Sequence, residues 1–135
     1  MDKAVRASVK RWLLKGADDL RVPKILLNAE AIPVDAVCFH AQQCAEKSLK
    51  AFLVSVDAHV ERTHSLPRLV ELCRQHDDAF SQFEDLAPEL TIYAVTGRTP
   101  DDGSTPASPE EARAAVASAQ AIYSFVVQHL RESGV

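Results

Sequence analysis

The run Cys-Phe-His-Ala-Gln-Gln-Cys-Ala-Glu-Lys-Ser-Leu-Lys-Ala-Phe-Leu, from Cys38 to Leu53, places the tightest constraint on the fold of this chain. At the helical repeat, Ala41, Ala45, Leu49, Phe52 and Val56 share one side and can pack a core. His40, Gln43, Lys47 and Lys50 share the opposite side, within an arc of about 80°. Gln42 and Glu46 stand one turn apart at the border, where polar side chains need partners. The run predicts a bundle helix carrying an ordered polar stripe, with a second helix from about Asp35, as its N-cap, to Asp57.

The rest of the chain has the same helical spacing. Val5, Val9, Trp12, Leu13, Gly16, Ala17 and Leu20 mark a first helix from about Asp2 to Leu27, with Pro23 set to end or kink it. Thr63 or Ser65 can cap a short third helix that tolerates Pro67 in its first turn and ends near His76. A fourth is expected from Ala79 to about Val95, capped by Asp77 or Asp78 and broken or kinked at Pro88. Residues 97–107 are rich in Gly, Pro and Asp and read as a loop. Ser108-Pro109-Glu110-Glu111 then combines a Ser N-cap, a first-position Pro and a third-position Glu, the signature of a capping box. No stretch alternates apolar and polar side chains as a half-buried strand would. The expected architecture is all-α, an up-and-down bundle of about five helices, in a single domain spanning residues 1–135.

Charge is unevenly distributed. The net charge is −4. Residues 1–24 hold seven basic and three acidic side chains, +4, so the remainder carries −8. The acidic whole argues against tight non-specific DNA binding, which needs many phosphate contacts. The basic first helix is compatible with a modest contact to RNA, a nucleotide or an acidic protein. Cys38, Cys44 and Cys73 form no CxxC pair, and buried thiols in a reducing compartment are the expectation. His40 and Cys44 have one-turn ligand spacing, but two ligands do not make a closed zinc site, so no metal or cofactor is expected. With no apolar run long enough to span a bilayer and no secretory signal, the protein is expected to be cytoplasmic.

The Cys38–Leu53 run resembles the second helix of HEPN domains (higher eukaryotes and prokaryotes nucleotide-binding). Trp12-Leu13 with Ala17-Asp18-Asp19-Leu20 resembles that family's first helix, and Thr63-His64-Ser65-Leu66 the lead-in to its third. Tyr93 followed by Arg98-Thr99-Pro100-Asp101 is similar to its Tyr…Arg-Tyr-Pro segment, and Ser108-Pro109-Glu110-Glu111-Ala112 to the start of its last helix. The resemblance implies a helical bundle, often a symmetric homodimer. Many such proteins pair with a minimal nucleotidyltransferase in toxin–antitoxin systems, and the active toxins are metal-independent ribonucleases. Their motif, Arg followed by His after four to six residues, is missing: none of His40, His59, His64, His76 and His129 has an Arg five to seven positions before it. The expectation is therefore a module that binds a nucleotide or a nucleotidyltransferase partner rather than an enzyme. His40, Gln43, Lys47, Lys50 and Arg98 are its candidate contact residues, and Gln42 and Glu46 its structural polar groups. The alternative is a ribonuclease with His64 as acid–base and Arg98 as phosphate clamp.

Overall fold

The computed structural model describes residues 1–94, 103 and 105–134. Five α-helices follow in order: α1 (Lys3–Leu26), α2 (Val34–Ser55), α3 (Leu66–Arg74), α4 (Leu86–Thr91) and α5 (Pro109–Glu132). Short 3₁₀ turns, Asp78–Phe83 and Ile92–Ala94, flank α4. No strand occurs among the described residues, and the all-α bundle expected from the spacing is the fold observed.

Local chemistry accounts for most of the helix ends. The Asp2 carboxylate accepts from the Val5 amide at 2.8 Å and starts α1. Pro23 does not end the helix: α1 continues to Leu26, and the Leu27 amide donates to the Pro23 carbonyl at 2.9 Å. Proline's fixed φ suits a helix, so only one ladder bond is forfeited, and Pro23 is buried where packing can hold the turn. The expectation that Asp35 caps α2 is also corrected. The helix begins earlier, after Pro33, because the Val37 amide reaches the Pro33 carbonyl. Asp35 instead lies in the first turn, where its charge favours the helix dipole. α2 ends at Ser55 with Val56 as its C-cap, and the next residue, Asp57, adopts a left-handed φ of 57° that cannot continue the helix.

Ser65 caps α3 by accepting from the Arg68 amide. The segment expected as one helix from Ala79 to Val95 divides into a 3₁₀ turn and α4. Its break falls at residues 84–85 rather than at Pro88. Phe80 and Phe83, three apart, are both buried by a 3₁₀ repeat. Pro88 lies in the first turn of α4, where a missing N–H goes unnoticed. The capping box at Ser108 and Glu111 is complete in both directions.

α2 is the central element. α1 lies along it on one side, α5 on another, and α3 and α4 with their 3₁₀ turns cover the rest. Val9, Leu20, Ala41, Leu49, Leu69 and Ile122 belong to a continuous core. Gly16 sets the spacing of α1 and α2. A Cβ there would stand 3.4 Å from Ser48 Oγ and 3.6 Å from the Cys44 carbonyl, ordinary contact. Gly16→Ala is therefore expected to be tolerated or to stabilise by up to about 1 kcal/mol, through a less flexible unfolded chain. Gly16→Leu is expected to force the helices apart and to cost roughly 1–3 kcal/mol. Urea denaturation is expected to place the Gly16→Ala midpoint at or above that of the wild type and the Gly16→Leu midpoint below it.

Burial fixes the thiol chemistry. Desolvation pushes Cys44 up to about 12, against a smaller lowering by its contact with Ser48. Cys73 is raised by burial alone. Such thiols stay protonated and poorly nucleophilic at neutral pH.

Candidate functional site

The polar stripe of α2 faces α1 rather than solvent. Asp19 on α1 stands opposite it and takes two of its members. Its Oδ1 lies 2.9 Å from His40 Nδ1, and its Oδ2 accepts from Lys47 Nζ. His40 and Lys47 are two turns apart on α2, so both can converge on one carboxylate. The close approach at Gly16, one turn earlier on α1, brings Asp19 within reach.

The stripe continues inward. Lys50, expected on an outer face, is only 6% exposed and donates to Glu46 Oε2 at 3.2 Å. Glu46 is 4% exposed. A helix surrounded on all sides has no outer face, so the wheel could not place Lys50 in water. Its ammonium also sits 5.8 Å from the centre of the Trp12 ring, a cation–π contact. The other oxygen of Glu46 lies 2.9 Å from Nδ1 of His64. A carboxylate can only accept, so Nδ1 carries the hydrogen. The imidazole itself is 70% exposed.

The backbone beneath His64 is held twice. Gln42 Nε2 donates to its carbonyl at 3.0 Å, and the Thr91 hydroxyl donates to the same oxygen at 3.2 Å. Thr91 also accepts from the Leu66 amide, tying the start of α3 to α4. Gln42 Oε1 and Gln43 Oε1 are buried and find no hydrogen-bond partner among the described residues. Arg98 lies outside the described residues. His40 and Lys47 are thus brought together on Asp19, whereas Lys50 turns to Glu46. His64 joins Lys50 through Glu46.

A basic groove of about 560 Å³ opens on the outer side of this array, lined by Ser8, Arg11, Trp12, Lys15 and Lys47. Four of the five come from α1, where positions 8, 11, 12 and 15 recur at three- and four-residue spacing and so line one face. Trp12 therefore lines the groove and also carries the buried Lys50 ammonium against its ring. Of these residues the polar pattern of α2 singles out only Lys47. The signal for Arg11 and Lys15 is the positive balance of residues 1–24, which gives a sign but no address. Asp19 has no signal beyond its place in the Asp18-Asp19 pair. Among the described residues no cluster of three or more His, Cys, Asp or Glu could hold a metal ion. No described helix is long and apolar enough to cross a membrane.

Known proteins give the same picture of the fold. No curated protein matches the chain. TT1696 from Thermus thermophilus, known from a crystal structure, is similar at a TM-score of 0.77 and 27% identity, over 89% of this chain and 96% of its own. The HEPN domain matches residues 9–130, which run from the buried Val9 of α1 through the whole polar array to Leu130 near the end of α5. A match of that extent includes every packed helix of the bundle, and the chain belongs to the HEPN domain family.

Proposed function

We propose that this protein is a small HEPN binding module, a homodimer, that takes a nucleotide or the nucleotide-bearing face of a minimal nucleotidyltransferase partner in a toxin–antitoxin-type pair. The observation that carries the reading is the groove at Trp12. Arg11 and Lys15 are exposed cations that line the same groove as an indole, and Lys47 is paired with Asp19. Cations suit phosphate oxygens, and an indole face suits a nucleobase. His40, Glu46 and Lys50 of α2 are committed to intramolecular pairs, which favours contact over catalysis.

Trp12 is the only tryptophan in the chain, so its fluorescence reports the groove directly. Titration with ATP at low salt is expected to change the emission saturably. Arg11→Ala and Lys15→Ala are each expected to weaken binding about tenfold, in line with the loss of a charge-assisted contact. An emission that ATP leaves unchanged sinks the nucleotide reading. Co-purification with a nucleotidyltransferase encoded beside this chain tests the partner.

One observation favours a second reading, a metal-independent ribonuclease. His64 has Nδ1 fixed on a buried carboxylate and its ring largely in solvent, which leaves Nε2 able to accept a proton. Cleavage of RNA in the presence of chelator, abolished by His64→Ala in a folded variant, would establish it.

A further inference from the structure

Leu14 and Ile25 are the most exposed large apolar side chains among the described residues, at 67% and 63%. Both belong to α1. Eleven residues apart, they are three turns plus about 20° from eclipsed, and therefore share a face. Asp18 and Arg21 lie between them on that face, with side chains 65% and 72% exposed, paired at 2.8 Å. Positions 14, 18, 21 and 25 step by four, three and four residues, the alternation of an a/d seam. α2 and α5 pack elsewhere on α1 and leave this stripe in solvent.

The stripe is complementary to itself. Two copies of α1 laid antiparallel about a two-fold axis between residues 19 and 20 set Leu14 against Ile25 and Asp18 against Arg21, each twice. Apolar meets apolar and each charge meets its opposite. The same axis sets Arg11 against Asn28. A parallel pairing would stack Asp18 on Asp18 and Arg21 on Arg21. Sliding the antiparallel pair by one heptad sets Leu14 against Asp18. The antiparallel register about residues 19 and 20 is the one that satisfies all four residues, and it is isologous, as a two-fold dimer requires. Beside Ile25 an open groove of about 510 Å³ lies between α1 and α5, bounded by Leu20, Lys24, Gln120 and Tyr123 among others. It can receive a leucine as a knob between helices.

We infer that α1 pairs antiparallel with α1 of a second copy of this chain through Leu14, Asp18, Arg21 and Ile25. The inference rests on the homodimer reading above and specifies its interface. The seam runs beside Arg11 and Lys15 and sets one basic groove at each of its ends.

The test uses Asp18→Arg and Arg21→Asp, exposed substitutions whose helicity is checked by circular dichroism. Mass is read by light scattering at micromolar concentration. The wild type is expected to be dimeric. Each variant alone sets like charges together and is expected to dimerise about 10- to 100-fold more weakly. An equimolar mixture of the two is expected to regain the dimer, because every arginine then faces an aspartate. A dimer that persists in both variants puts the interface elsewhere: the inference falls while the homodimer reading stands. Loss in each variant without recovery on mixing overturns the pairing. A monomeric wild type sinks both.

Discussion

Lys50→Met is expected to destabilise the protein by about 3–5 kcal/mol, the cost of leaving a buried charge without its counter-ion. Glu46 is 4% exposed and Lys50 6%, so neither is solvated well by water. Removing the ammonium leaves the carboxylate with His64 Nδ1 at 2.9 Å. A neutral imidazole supplies one hydrogen bond and no full charge. The methionine stem can still pack against Trp12, so the loss is electrostatic rather than steric. The double variant Glu46→Leu/Lys50→Met removes both charges and is expected to recover most of the loss, because paired burial is close to neutral in stability. Urea denaturation of the wild type, both single variants and the double closes the cycle. A Lys50→Met protein within about 1 kcal/mol of wild type would mean that water reaches Glu46, contrary to the packing described.

That pair marks the boundary of what the sequence can say. Helical spacing is a local property, and α1, α2, α3 and α5 follow from it together with the caps at Ser65 and Ser108. Each signal involves residues within a turn or two of one another. The spacing also puts His40 and Lys47 on one side of α2, where both meet Asp19. What lies across from that side is set by tertiary packing, and a helical wheel contains no information about it. Asp19 is 21 residues from His40 and 28 from Lys47, so no pattern within α2 could name it. A wheel treats charged residues as solvent-facing, the usual preference, and Lys50 departs from it because Glu46 and Trp12 accompany it inward. The division of the fourth segment is hidden for another reason. Phe80 and Phe83 satisfy an α and a 3₁₀ repeat equally well, and Pro88 offers a plausible but incorrect place to break.

The same distinction applies to function. Family membership follows from the whole bundle, whereas chemistry depends on a few side chains. Here those side chains divide into two groups: an inner set consumed by ion pairing along α2, and an outer set on α1 that remains exposed. The outer set can meet a ligand without dismantling a contact that holds α1 to α2. Lys47 is the exception, since it both binds Asp19 and lines the groove. An incoming phosphate would compete with Asp19 for it, and so would couple occupancy of the groove to the α1–α2 contact.

Phe52→Ala is expected to cost about 3–5 kcal/mol, the range for emptying a buried aromatic site. Phe52 is 2% exposed and sits at the meeting point of three elements. Its ring centre lies 4.5 Å from that of Phe80, 5.3 Å from His129 and 6.5 Å from His76. Phe80 in turn meets Phe83 and Phe125, and His129 stacks on Phe125 and lies 3.5 Å from Asp77. Rings so interlocked cannot slide into the space that Phe52 leaves. Asp77 also caps the 3₁₀ turn that carries Phe80, so that ring cannot shift without disturbing a cap. The cavity therefore persists, and its cost adds to the lost transfer energy. Phe52→Leu keeps most of the volume and is expected to lose less than half as much. Phe125, half-buried at the rim, provides the comparison: Phe125→Ala is expected to lose less than Phe52→Ala. Domains of this kind have only about 5–15 kcal/mol in total, so Phe52→Ala should lower the denaturation midpoint by a large fraction. Equal losses in Phe52→Ala and Phe125→Ala would show that this end of the bundle relaxes around a missing ring, and that the cluster does not hold α2, the 3₁₀ turn and α5 in register.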